Sequence, residues 1–157
     1  MKTWNLKKDV ILKIEITIPE LKALTVNQCF RKSRSVAGLH KSQQYVIYES
    51  RVSRELMKYR SEFRKLNKAY DPEKNYFAID YRFYFPTMVK PKRKNDPPRL
   101  SEKAGDTDNL IKPIKDIIFK HLDADDSSCV YLTAMKIHCE QPRIEVSLCL
   151  RPMFTLS

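Results

Sequence analysis

The apolar residues Val52, Leu56, Tyr59, Phe63 and Leu66 recur at alternating steps of four and three, and no other feature limits the folds open to this chain so tightly. Such steps keep one flank of a helix apolar. The spacing therefore predicts a long helix from Ser42 to about Lys68 that has to bury one side. Arg51, Arg54, Lys58, Arg64, Lys65 and Lys68 fall largely off that stripe and are expected to face solvent. What the stripe packs against is written in period two. Leu12, Ile14, Ile16 and Ile18 alternate in a strand predicted over Val10 to Ile18, which Pro19 ends. Phe77, Ile79, Tyr81, Phe83 and Phe85 alternate in a second strand from about Tyr76 to Phe85. Two more strands are predicted at Val130 to His138 and at Arg143 to Leu150, around the turn Glu140-Gln141-Pro142.

A short helix is expected from about Asn109 to His121, with Leu110, Ile114, Ile117 and Ile118 inward and Pro113 tolerated as part of its first turn. The fold class is thus α/β (α+β): a small mixed β-sheet with one long and one short helix. Residues 1–157 fit one domain. Glu20 to about His40 reads as a loop, and the Pro- and Lys-rich stretch at about 86–105 as a flexible basic loop.

Charge narrows the partners. Thirty Lys and Arg against nineteen Asp and Glu give a net charge of +11, an electrostatic footprint suited to nucleic acid. Eleven basic residues and three acids lie between Arg31 and Lys68, and six basic residues and two acids between Lys90 and Lys103. Arg31, Lys32, Arg34, Lys90, Lys92, Arg93, Lys94, Arg99 and Lys103 are the expected DNA-binding residues. No apolar run reaches membrane-spanning length and the amino terminus lacks a signal-peptide core, so a cytoplasmic location and no membrane partner are expected. With only two glycines there is no Gly-rich phosphate cradle, which argues against a nucleotide cofactor. Cys29, Cys129, Cys139 and Cys149 show no zinc-ligand spacing and are expected to be free thiols.

Against this basic background, Asp106, Asp108 and the pair Asp125-Asp126 gather carboxylates. In an extended stretch Asp106 and Asp108 would project to the same side and share one ion. Hard carboxylate oxygens without nearby His or Cys select Mg²⁺ or Mn²⁺. Such an ion polarises a phosphate and supplies hydroxide near neutral pH. Lys112, four residues after Asp108, shares its side of the helix and could meet negative charge developing on a phosphate or leaving oxygen. Each residue also has a plainer use: Asp108 as an N-cap, Asp125-Asp126 as turn residues, Lys112 and Asp116 as a surface pair. The joint pattern points to a metal-dependent nuclease.

The run Asp106-Thr107-Asp108-Asn109-Leu110-Ile111-Lys112, then Asp116, then Asp125-Asp126, resembles the signature of the RusA family of Holliday junction resolvases. The specific match spans about residues 105–130, and the order of elements extends it over most of the chain. The resemblance implies metal coordination by Asp106, Asp108 and Asp126, with Asp125 as an alternative ligand. It implies Lys112 as the catalytic lysine and Asn109 and Asp116 as supporting positions. It further implies a homodimer, Mg²⁺ (or Mn²⁺), and paired symmetric nicks in four-way junctions during recombination and repair, in bacterial members often carried by phages or prophages. The alternatives are a less selective branched-DNA or flap nuclease and a non-catalytic DNA-binding protein.

Overall fold

The computed structural model describes residues 10–32, 38–86, 88–89, 99–100 and 106–153. Its centre is a four-stranded sheet in the order β1-β8-β4-β7, built from β1 (Leu12–Pro19), β4 (Asn75–Phe85), β7 (Cys129–His138) and β8 (Arg143–Pro152). β8 runs antiparallel to both β1 and β4, whereas β4 and β7 are parallel. A parallel pair cannot be joined by a hairpin. Helix α4 (Thr107–Leu122) lies in the crossover that joins them.

The alternation read from sequence sets which face is buried. Ile14, Ile16 and Ile18 of β1, Ile144, Val146, Leu148 and Leu150 of β8, and Phe77, Ile79, Tyr81, Phe83 and Phe85 of β4 form one apolar face. Paired strands in register keep these side chains together. Helices cover this face, and one side of each is apolar for that reason. The other face carries mixed charge, with ion pairs Arg82–Asp80 at 3.3 Å and Arg143–Glu145 at 2.9 Å.

The expected long helix is a continuous run over residues 43–69: α2 (Gln43–Leu56), a tight 3-10 turn at Met57–Tyr59, and α3 (Arg60–Ala69). Val52, Leu56, Phe63 and Leu66 are buried as the stripe requires, and Tyr45 and Tyr48 extend it toward the amino terminus. Ser42 caps α2, accepting from the Tyr45 N–H at 3.1 Å and donating to the Gln28 carbonyl at 2.6 Å.

Three expectations are corrected. Residues 20–40 are not simply a loop: α1 (Val26–Cys29) is followed by strand β2 (Phe30–Lys32), which pairs with β3 (Leu39–Lys41). A capping box closes α1, since Gln28 accepts from the Thr25 N–H at 2.9 Å. Elements of three and four residues are too short for periodicity to reveal. Within the stretch expected as a flexible basic loop, β5 (Met88–Val89) pairs with β6 (Arg99–Leu100), while residues 87, 90–98 and 101–105 lie outside the described residues. Finally, α4 starts two residues earlier than expected, so Pro113 is its seventh residue and lies beyond the first turn. Its ring is buried, and the Asn109 carbonyl loses its usual i+4 donor.

Candidate functional site

Every expected acidic residue lies on α4 or on the turn that follows it. Asp106 is the N-cap of α4, with extended backbone (φ −74°, ψ 146°), and Asp108 lies in the first helical turn. The extended arrangement expected for this pair is therefore corrected: the helix begins between them. Its first N–H groups lack helical partners, and its dipole favours negative charge at that end. Asp106 nevertheless makes no side-chain cap bond. Its carboxylate occupies a capping position without being used as a cap.

Steps of four carry Asp108 to Lys112 and to Asp116 along one flank of α4. Asp116 is reachable by solvent, yet burial of its surroundings is the main cause pushing its carboxyl above the usual carboxylate range. Lys112 and Lys115 oppose that rise and Asp126 adds to it. The charge of Asp116 also reaches inward. Burial lifts the Cys29 thiol to about 11, with Asp116 adding to it, and lifts the Tyr45 phenol to about 12, with Glu49, Cys29 and lastly Asp116 adding to it. The charge of Asp116 is thus felt on both α1 and α2, which pack against α4.

Asp126 returns to this point because α4 ends sharply. Asp123 adopts a left-handed conformation (φ 55°), and its N–H bonds back to the Phe119 and Lys120 carbonyls. Asn67 of α3 clamps the turn, donating to the Leu122 carbonyl at 2.9 Å and to the Asp123 carbonyl at 3.0 Å. The chain then enters a 3-10 turn, Asp126–Ser128, that leads into β7. Asp125 caps this turn, accepting from the Ser127 N–H at 2.8 Å, and the Ser127 hydroxyl first and that N–H second hold its carboxyl below the usual range. Asp126 instead faces α4, with its Oδ2 3.6 Å from Lys115 Nζ. Asp116, Asp123, Asp125 and Asp126 line one open hollow of about 500 Å³ together with Lys120, Phe119 and Ala124.

The fold thus brings Asp126 to Asp116, with Lys112 and Lys115 beside them. Asp106 and Asp108 stay at the head of the helix; Asp106 and Asp116 are ten residues apart, roughly 15 Å along the axis at ~1.5 Å per residue. Among the described residues, no three His, Cys, Asp or Glu side chains converge as a ready-made metal cage. A Mg²⁺ ion does not ask for one. It is usually held by one or two carboxylates, with water and substrate phosphate completing its shell. A carboxylate pair in which Asp126 adds to the proton affinity of Asp116, without nitrogen or sulfur donors, fits a hard divalent cation.

Lys115, Asp123 and Asn67 were not singled out from sequence. The available signals are slight: Lys115 precedes Asp116 and stands four residues before Phe119, and Asp123 follows the last apolar residue of the helix. Of the expected DNA-binding residues, Arg31 and Lys32 lie exposed on β2. Arg99 is on β6, and only its backbone is described. Arg34, Lys90, Lys92, Arg93, Lys94 and Lys103 lie outside the described residues.

The pattern of one protein family, Endodeoxyribonuclease RusA, matches residues 21–149. That is most of the chain, from the end of β1 to β8, and it includes the whole acidic segment. The chain belongs to the RusA endodeoxyribonuclease family. No curated protein matches it. Membership in the RusA family makes this a nuclease acting on DNA, in keeping with its excess of 30 Lys and Arg over 19 acids. No described helix is long and apolar enough to cross a membrane.

Proposed function

We propose that this RusA-family chain is a divalent-metal-dependent endonuclease that resolves four-way DNA junctions in the cytoplasm. It works as a homodimer making two symmetric nicks. The observation that carries this reading is the return of Asp126 to α4, beside Asp116 and 3.6 Å from Lys115, on a protein of net charge +11.

In this reading Asp106, Asp108 and Asp126 are the metal-holding carboxylates for Mg²⁺ or Mn²⁺: Asp126 holds an ion on the turn, with Asp116 supporting it from the helix, and Asp106 and Asp108 act at the head of α4 rather than on that same ion. Asp125 is assigned to the turn because its carboxylate already accepts from Ser127. When bound, the ion polarises the scissile phosphate and lowers the pKa of attacking water. The chain's own groups do the rest. The free N–H groups at the head of α4 receive a phosphate oxygen. Lys112 puts its ammonium where negative charge develops on the phosphate or leaving oxygen. Arg31 and Lys32 neutralise backbone phosphates and fix the duplex arm. One chain supplies one acidic site and a four-way junction offers two equivalent cleavage points, so closed two-fold pairing matches protein to substrate.

The deciding experiment is a cleavage panel of four-way, flap and linear duplex DNA, with and without Mg²⁺ or Mn²⁺, using wild type and Asp126→Asn. Wild type should cut the four-way junction at paired sites only when metal is present. Asp126→Asn should bind it with equal or greater affinity and not cut. Metal-independent cutting, or near wild-type cutting by Asp126→Asn, would overturn the assignment.

A further inference from the structure

Lys115 has no role in the reading above, yet among the described residues it is the cation paired with Asp126, with Nζ 3.6 Å from Oδ2. The two partners are not equally free. The lysine side chain is 21% exposed and the aspartate 54%. Lys115 is held by the fold: its ammonium lies 5.8 Å from the centre of the Phe119 ring, one helical turn on, a distance at which the ring face attracts a cation. Phe119 is itself buried in the core. The charge of Lys115 also reaches Asp116 and Cys129, in each case opposing the upward effect of burial. A fixed positive charge therefore stands among carboxylates whose mutual repulsion would otherwise push the turn away from α4.

We propose that Lys115 is a positioning residue, the resident counter-ion of Asp126. It keeps that carboxylate folded against α4 before a divalent ion arrives, and it competes with the ion for the same oxygens. This rests on the reading of Asp126 as a metal-holding residue. Removing the ammonium while keeping the aliphatic stem leaves Asp126 without its internal cation and raises its demand for an external one. Even well screened, a unit charge at about this distance alters ion affinity by roughly fivefold.

The test is Mn²⁺ binding to the full DNA-free chain, followed by calorimetry, for wild type, Lys115→Met and Lys115→Arg. Each is repeated with Asp126→Asn. Met keeps an unbranched apolar stem beside Phe119 and removes only the charge; Lys115→Gln stands in if Met does not fold, as judged by circular dichroism. Lys115→Met should tighten Mn²⁺ binding by about fivefold or more. Lys115→Arg should stay within about twofold of wild type, because it keeps the charge. With Asp126→Asn, changing Lys115 should have no further effect. A folded Lys115→Met variant with unchanged or weaker binding overturns the proposal. So does equal tightening by Lys115→Arg, or tightening that survives Asp126→Asn. If Asp126→Asn alone leaves wild-type Mn²⁺ binding unchanged, Asp126 is not a metal-holding residue and both readings fall together.

Discussion

Replacing Lys112 by Ala separates catalysis from structure more cleanly than any other single change. Lys112 is exposed on α4, and among the described residues it forms no ion pair. As a structural residue it is therefore worth less than about 0.5 kcal/mol, the usual range for surface substitutions away from special features. As a charge poised over the reacting phosphate, its loss should slow cleavage by about 100-fold or more, which is roughly 2.7 kcal/mol at ~1.36 kcal/mol per decade. The two magnitudes do not overlap. A second effect follows from Asp116, whose raised pKa is opposed by Lys112 first and Lys115 second. Without Lys112, burial and Asp126 act against Lys115 alone, so Asp116 keeps its proton to higher pH. The acid limb of the cleavage profile should move upward, and Asp116→Asn in the same chain should remove that movement. Single-turnover cleavage of a four-way junction from acidic to neutral pH measures both. Lys112→Arg keeps the charge with a different shape and reach and should rescue only in part. A folded Lys112→Ala variant cutting within about threefold of wild type would refute the catalytic assignment, since a transition-state contact predicts ~100-fold.

Burial raises the carboxyl pKa of Asp116 in the folded chain, so its ionised form costs stability near neutral pH. That cost is absent below the unfolded pKa and fully present above the folded one; Asp116→Asn should therefore melt higher near pH 7, with the difference closing in acid. Asp123→Gly should stabilise by about 1 kcal/mol or less in denaturant titration, because a left-handed backbone at φ 55° is strained for any residue with a Cβ. Asn67→Ala loses two hydrogen bonds to the turn that returns Asp126, so it should cost about 1–3 kcal/mol in the same titration and slow cutting more than DNA binding. Junction affinity should fall steeply with salt, and replacing Arg31 and Lys32 with Ala should flatten the log–log slope by about 1.8, at ~0.9 per duplex phosphate contact, in fluorescence anisotropy. An unchanged slope would remove β2 from the DNA path.

The sheet and its long helix were legible in the chain alone because their signals are periodic and long. Val52 to Leu66 could bury one flank only as a helix, and Phe77 to Phe85 one face only as a strand. The mixed parallel and antiparallel pairing of β4 was not legible, since register between distant strands depends on contacts that no local window contains. The same division runs through the site. Residue types and spacing, with the resemblance of their pattern to the RusA signature, made Asp106, Asp108, Lys112 and Asp126 candidates. Their relation in space was decided elsewhere. A left-handed turn at Asp123, clamped from α3 by Asn67, brings Asp126 back to Lys115 and Asp116, while Asp106 stays at the head of the helix. Spacing along one helix is local and can be read from residue numbers. The return of a chain onto that helix is set by packing between segments more than fifty residues apart, and only the folded molecule holds it.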